Sequence, residues 1–188
     1  MRVTKTNLFG LPLFVLLLVL FSACDSDEPD DGPGEEELIT RVTITLSPSD
    51  GGADVIVEAT DPDGDGADFQ IGTLNLTANT TYTGSIIVFD DVNGEDITEE
   101  VEGEADEHQF FYVAGGDAAS RVTVTVTDQD GNALPLGIEF TLAVSDGAAA
   151  AGTLRVVLSH YDDGPKDGVN MSDESDVDVV FPITITGS

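Results

Sequence analysis

From residue 41 onward, apolar and polar side chains take turns one residue at a time. That period of two leaves a chain few ways to fold. Val42, Ile44 and Leu46 alternate with Thr43 and Thr45, and Val55, Val57 and Ala59 repeat the pattern after the turn-forming run Ser47-Pro48-Ser49-Asp50-Gly51-Gly52. Leu74 and Leu76, then Tyr82, Ile86 and Val88, then Phe111 and Val113 continue it. Val122, Val124 and Val126 lead into an Asp128-Gln129-Asp130-Gly131-Asn132 turn, and Ile138, Phe140, Leu142 and Val144 follow. Leu154, Val156 and Leu158, and finally Val177, Val179, Phe181, Ile183 and Ile185, complete the series. A strand with one apolar face must bury that face against another layer. The expected fold is therefore mostly β: an antiparallel, immunoglobulin-like β-sandwich of about 8–9 strands over residues 38–188.

One segment departs from the alternation. Asp96-Ile97-Thr98-Glu99 has a capping residue followed by Glu at the third position after it, and Ile97, Val101 and Ala105 fall four apart. The spacing predicts a short helix over 97–107. Like charges at Glu95/Glu99 and Glu100/Glu104, together with Gly103, weaken it.

The amino terminus gives an address. Arg2 and Lys5 precede an uncharged apolar run over residues 8–21, and Ser22 and Ala23 lead into Cys24. This is the anatomy of a secretory signal occupying residues 1–23. Cys24 is the single cysteine, so no intramolecular disulfide can form. The stretch Leu20-Phe21-Ser22-Ala23-Cys24 resembles a bacterial lipobox, which implies acylation of Cys24 by chains such as palmitate. Several acyl chains at about 0.8 kcal/mol per buried CH₂ would hold the protein on a membrane. Ser26-Asp27-Glu28 resembles an acidic export signal for surface lipoproteins, implying an outer-membrane position facing the exterior, with a periplasm-facing position as the alternative. Residues 24–37, rich in Asp, Glu, Pro and Gly, read as an acidic, disordered tether.

Charge narrows the partners. All 37 acidic residues lie in 24–188, against Arg41, Arg121, Arg155 and Lys166, a net charge of −33. Nucleic acid is excluded, because nothing would neutralise phosphates.

Four blocks resemble a family of bacterial lipoproteins often labelled "type 1 periplasmic binding fold superfamily protein". They are Glu35 to Thr40, Glu95 to Tyr112, Gly152 to His160 and Asp176 to Ile185. The resemblance spans nearly all of the chain after Cys24, and no ligand or catalytic residue comes with it. A two-lobed periplasmic binding fold needs many alternating strands and helices, and this pattern offers one helix. The alternation leads to the sandwich instead.

Two constellations are candidate ligand sites. Asp61, Asp63 and Asp65, followed by Gly66 and Asp68, match part of a calcium loop, since carboxylates at alternate positions converge on one hard cation. The position where such a loop carries its bidentate Glu is Gly72, and an Asp/Gly-rich turn in an acidic chain arises from composition alone. The second is Glu104, His108 and His160, which would suit a transition metal if the fold joins the two histidines. Ordinary packing or pairing of each histidine with a neighbour is the alternative.

No nucleophilic cysteine, G-x-S-x-G elbow, H-E-x-x-H motif or phosphate-binding glycine loop occurs, so a non-enzyme is expected. Two functions fit. The first is a lipid-anchored accessory module that captures a metal or small ligand, handing it to a TonB-dependent outer-membrane transporter. The second is a structural or adhesive β-sandwich without a small ligand. Either way, self-repulsion should tell on stability. The melting temperature is expected to rise between about 10 mM and 1 M salt, as the Debye length falls from about 30 to 3 Å. Equal stability at both ends would refute this reading of the charge.

Overall fold

A computed structural model describes residues 37–64, 68–162 and 164–187. Cys24, the signal segment, the acidic segment up to residue 36, and Asp65 lie outside the described residues. The described strands are β1 (Arg41–Pro48), β2 (Val55–Thr60), β3 (Gln70–Ile71), β4 (Leu74–Thr77), β5 (Thr80–Phe89), β6 (His108–Gly116), β7 (Val122–Val126), β8 (Glu139–Val144), β9 (Ala150–His160) and β10 (Glu174–Thr186). They form the expected β-sandwich. A six-stranded front sheet runs β3-β2-β1-β5-β8-β7, and a four-stranded back sheet runs β4-β10-β9-β6. All pairs are antiparallel except β4 with β10, where Leu74 to Thr77 run alongside Ile183 to Thr186 in the same direction. The two-residue β3, beside Ala59 and Thr60, is a strand that alternation could not announce.

The alternating residues fill the space between the sheets, except on β6: there Phe110 is buried with Tyr112 and Ala114 packed beside it, while Phe111 is only partly covered and Val113 is exposed, the reverse of the expected face. Val42, Ile44 and Leu46 from the front sheet and Leu154, Val156 and Phe181 from the back sheet are wholly buried, while Thr43 and Thr45 on the opposite face of β1 are only partly covered. Gly84 keeps the period of β5 but has no side chain to spend. The ring of its cross-strand partner Phe140 occupies that space, and a Cβ on Gly84 would lie 2.3 Å from Phe140 Cε2. Tyr112 lies against the same ring at 4.5 Å and donates its hydroxyl to Gly137 O at 2.6 Å. With Phe110 N donating to Leu136 O at 2.7 Å, this ties β6 of the back sheet to the segment leading into β8 of the front sheet.

The helix α1 (Ile97–Gly103) begins where expected and ends four residues early. Asp96 caps it by accepting from Thr98 N. Thr98 Oγ1 in turn accepts from Val88 N at 2.9 Å and donates to Val88 O at 3.1 Å, which holds the helix on β5. Ile97 and Val101 are buried. Gly103 and the repelling glutamates end the helix, and a turn closed by Glu107 N to Glu104 O carries the chain into β6. His108 is thus the first residue of a strand and does not lie on the helix.

Gly84→Ala is expected to destabilise the fold by about 1–3 kcal/mol through overpacking against Phe140. Urea unfolding checks it, and an unchanged midpoint would show that the ring moves aside freely.

Candidate metal centre

The back sheet builds a polar cluster at one end. β6 and β9 pair so that His108 faces His160, the first residue of one strand against the last of the other. The two imidazoles stack at 4.3 Å with 28° between their planes, and both residues are buried. On the other side of β9, β10 opens with a register shift between Ser175 and Val177. Simple alternation from Val177, Val179 and Phe181 would turn Asp176 outward with Asp178. The bulge re-aims it, and its side chain is fully buried beside the histidines. Glu37 completes the group from just ahead of β1.

The four side chains converge. One ligand atom from each of Glu37, His108, His160 and Asp176 lies within 4.8 Å of all the others. His108 Nε2 is 3.2 Å from Glu37 Oε1 and 3.5 Å from Asp176 Oδ2. His160 Nδ1 is 3.7 Å from Glu37 Oε2 and 3.4 Å from Asp176 Oδ1. Each carboxylate therefore offers one oxygen to each imidazole. Glu37 Oε2, His108 Nε2 and both Asp176 oxygens are buried without a hydrogen bond of good geometry. Such an arrangement is costly unless something else satisfies it.

The outward nitrogens are served separately. His108 Nδ1 lies 3.2 Å from the Glu104 carbonyl, which can only accept, so Nδ1 carries hydrogen and leaves Nε2 facing the cluster. Asp162 Oδ1 lies 2.8 Å from His160 Nε2, a close contact but poorly aligned for a hydrogen bond, and this leaves Nδ1 facing inward. Metal-binding histidines characteristically hold such a carbonyl or carboxylate on the far nitrogen. The flanking segments are pinned as well. Buried Lys166 donates to Ala105 O at 2.8 Å and sits 3.0 Å from Asp130 Oδ2, while Tyr161 N donates to Glu107 O.

Protons substitute for a cation in the cluster as it stands. Burial, followed by the close approach and charge of the Glu37 carboxylate, pushes the Asp176 carboxyl up to about 8. Burial acts upward on Glu37 too, but His108 and Asp176 outweigh it and hold that carboxyl at about 2. Burial works to lower His108, and the two carboxylates overcome it and raise it.

The residues singled out from the sequence divide. His108 and His160 meet. Glu104 is corrected: it offers a backbone carbonyl to the outer nitrogen of His108, and its side chain is not among the converging ligands. Glu37 had been grouped with the tether, and nothing in an all-acidic run distinguishes it. Of the aspartate loop, Asp61 is buried, Asp63 and Asp68 are exposed, and Asp65 is outside the described residues. Among the described residues, Asp61, Asp63 and Asp68 form no converging group, so the calcium loop gains no support. No protein-family model matches the chain, and neither does any curated protein.

With metal chelated, the folded domain holds protons on Asp176 and His108 that the unfolded chain releases at lower pH. Stability from these raised groups is present at low pH and lost as pH climbs through their folded-state values. The melting temperature in chelator should fall between about pH 5 and pH 8.5, and Asp176→Asn should flatten the slope. A wild-type curve flat over that range would contradict the shared-proton arrangement.

Proposed function

We propose that this chain is a lipid-anchored protein of a bacterial outer membrane whose β-sandwich captures a divalent first-row transition ion, with Zn²⁺ as the best fit. Its cargo passes to a TonB-dependent transporter. The observation that carries the metal reading is dimensional. A tetrahedral ion with bonds of about 2.0–2.2 Å has ligands about 3.3–3.6 Å apart; each imidazole nitrogen lies 3.2–3.7 Å from one oxygen of each carboxylate, and one ligand atom from each of the four residues lies within 4.8 Å of the others. Charge supports it too. Two carboxylates with two neutral imidazoles carry −2 in a site from which water is largely excluded, and one divalent ion neutralises that charge.

The donor set narrows the ion. Two imidazoles and two carboxylates suit zinc and its neighbours, whereas calcium and magnesium prefer all-oxygen shells. Four protein ligands also fill a tetrahedral ion, which is the pattern of a site that holds metal and leaves no open position for a reacting molecule. The lipid anchor and the transporter rest on the sequence around Cys24 and on analogy with other surface lipoproteins. An acid-walled cleft of about 350 Å³ supports cation collection, since it is lined by Asp173 and by Glu174, the register partner of His160.

Isothermal titration of the chelator-treated protein with Zn²⁺ is expected to give one site per chain, unaffected by millimolar Ca²⁺. Outer-shell losses alone cost about 10–100-fold in affinity, so removing a ligand in His160→Gln or Asp176→Asn should cost more than about 100-fold. No heat from zinc, or equal affinity in the variants, would overturn the proposal.

A further inference from the structure

The four ligands do not come from one sheet. His108, His160 and Asp176 stand on adjacent strands of the back sheet, whereas Glu37 belongs to the lead-in to β1, in the front sheet. That lead-in is held to the front sheet from Ile39 onward. Ile39 is buried in the core, Thr40 N donates to Phe89 O at 3.0 Å, Asp61 N donates to Thr40 O at 2.8 Å, and Asp91 N donates to Thr40 Oγ1 at 2.8 Å. Glu37 lies two residues earlier and reaches across to the back sheet with its carboxylate.

We propose that the bound ion is a clasp: it joins the front-sheet lead-in to the back sheet through Glu37, so that occupancy fixes where the segment ahead of the sandwich leaves the domain. This rests on the metal-capture reading and gives that site a mechanical consequence. The chain cannot join its sheets by a disulfide, having one cysteine, and a metal bridge between Glu37 and the three back-sheet ligands does the equivalent work. Three ligands remain when Glu37 swings away, enough to keep an ion more weakly. Metal release and departure of the lead-in are therefore linked, and each favours the other.

A glutamate-specific protease reads this directly, because cutting after Glu37 requires its side chain to leave the cluster and enter the protease. The full chain is digested in excess chelator and in Zn²⁺, with cleavage at the Glu37–Leu38 bond followed by mass spectrometry. A short glutamyl peptide in the same tube corrects for any effect of zinc on the protease. Where opening is fast relative to cleavage, free zinc at 100 times its dissociation constant should slow that cut by up to about 100-fold. His160→Gln, at the same zinc concentration, should be cut as fast as the chelated wild type. Zinc titration on the same sample separates the outcomes. Zinc binding with unchanged cleavage after Glu37 overturns the clasp and leaves metal capture standing. Failure of zinc to bind overturns both.

Discussion

Strand register is the constraint on which the site depends. Side chains on a strand change face at every residue, so a slip of one position in the β6–β9 pair would carry His108 and His160 away from each other and apart from Asp176. What holds the register is apolar. Phe110, Leu154, Leu158, Val177, Val179 and Phe181 are all buried against the front sheet, and moving any of these strands by one residue would expose its whole set. The same hydrophobic pattern that makes the sandwich also brings two imidazoles to 4.3 Å at its end. The polar cluster is positioned by the core and contributes little to positioning itself.

That division explains what could be read from the sequence. The strands from β1 to β10 were legible wherever both faces differed in polarity, because period two is a direct consequence of backbone geometry. The helix start was legible from Asp96 and its capping pattern. The helix end was not, since the choice between a third turn and a strand beginning at His108 lies in pairing with β9, a contact 52 residues away in sequence by the register of His108 with His160. The parallel β4–β10 pair was invisible for the same reason.

The site was half legible. With only two histidines in the chain, they drew attention as a pair, and the fold supplies the proximity that sequence could not. Asp176 escaped because its inward aim depends on a bulge, a local departure from the alternation used to find everything else. Glu37 escaped for a different reason: in a chain with 37 acidic residues, composition hides any single functional carboxylate. Its distinction is positional, lying two residues ahead of the first buried core side chain, Ile39. The aspartate loop shows the converse. Its sequence looked more like a ligand site than Glu37 did, yet Asp63 and Asp68 are exposed and, among the described residues, form no converging group with Asp61.

Burial, then, separates the exposed Asp63 and Asp68 from the carboxylates of the candidate metal centre. An exposed carboxylate is solvated and needs no cation, since water hydrates it and salt screens its charge over about 8–10 Å at physiological ionic strength. A carboxylate that has lost water must be neutralised by something within the protein. Asp176 is in that position: its neighbours are a second carboxylate and two imidazoles, and protonation of the acid is one answer available to it. A divalent ion is the other, and it answers for both carboxylates at once while using the inward nitrogens of His108 and His160, of which His108 Nε2 has no well-aligned partner among the described residues. The proton and the ion compete for the same buried charge. The fold around them, with the Glu104 carbonyl and Asp162 on the outer nitrogens, is arranged the same way for either.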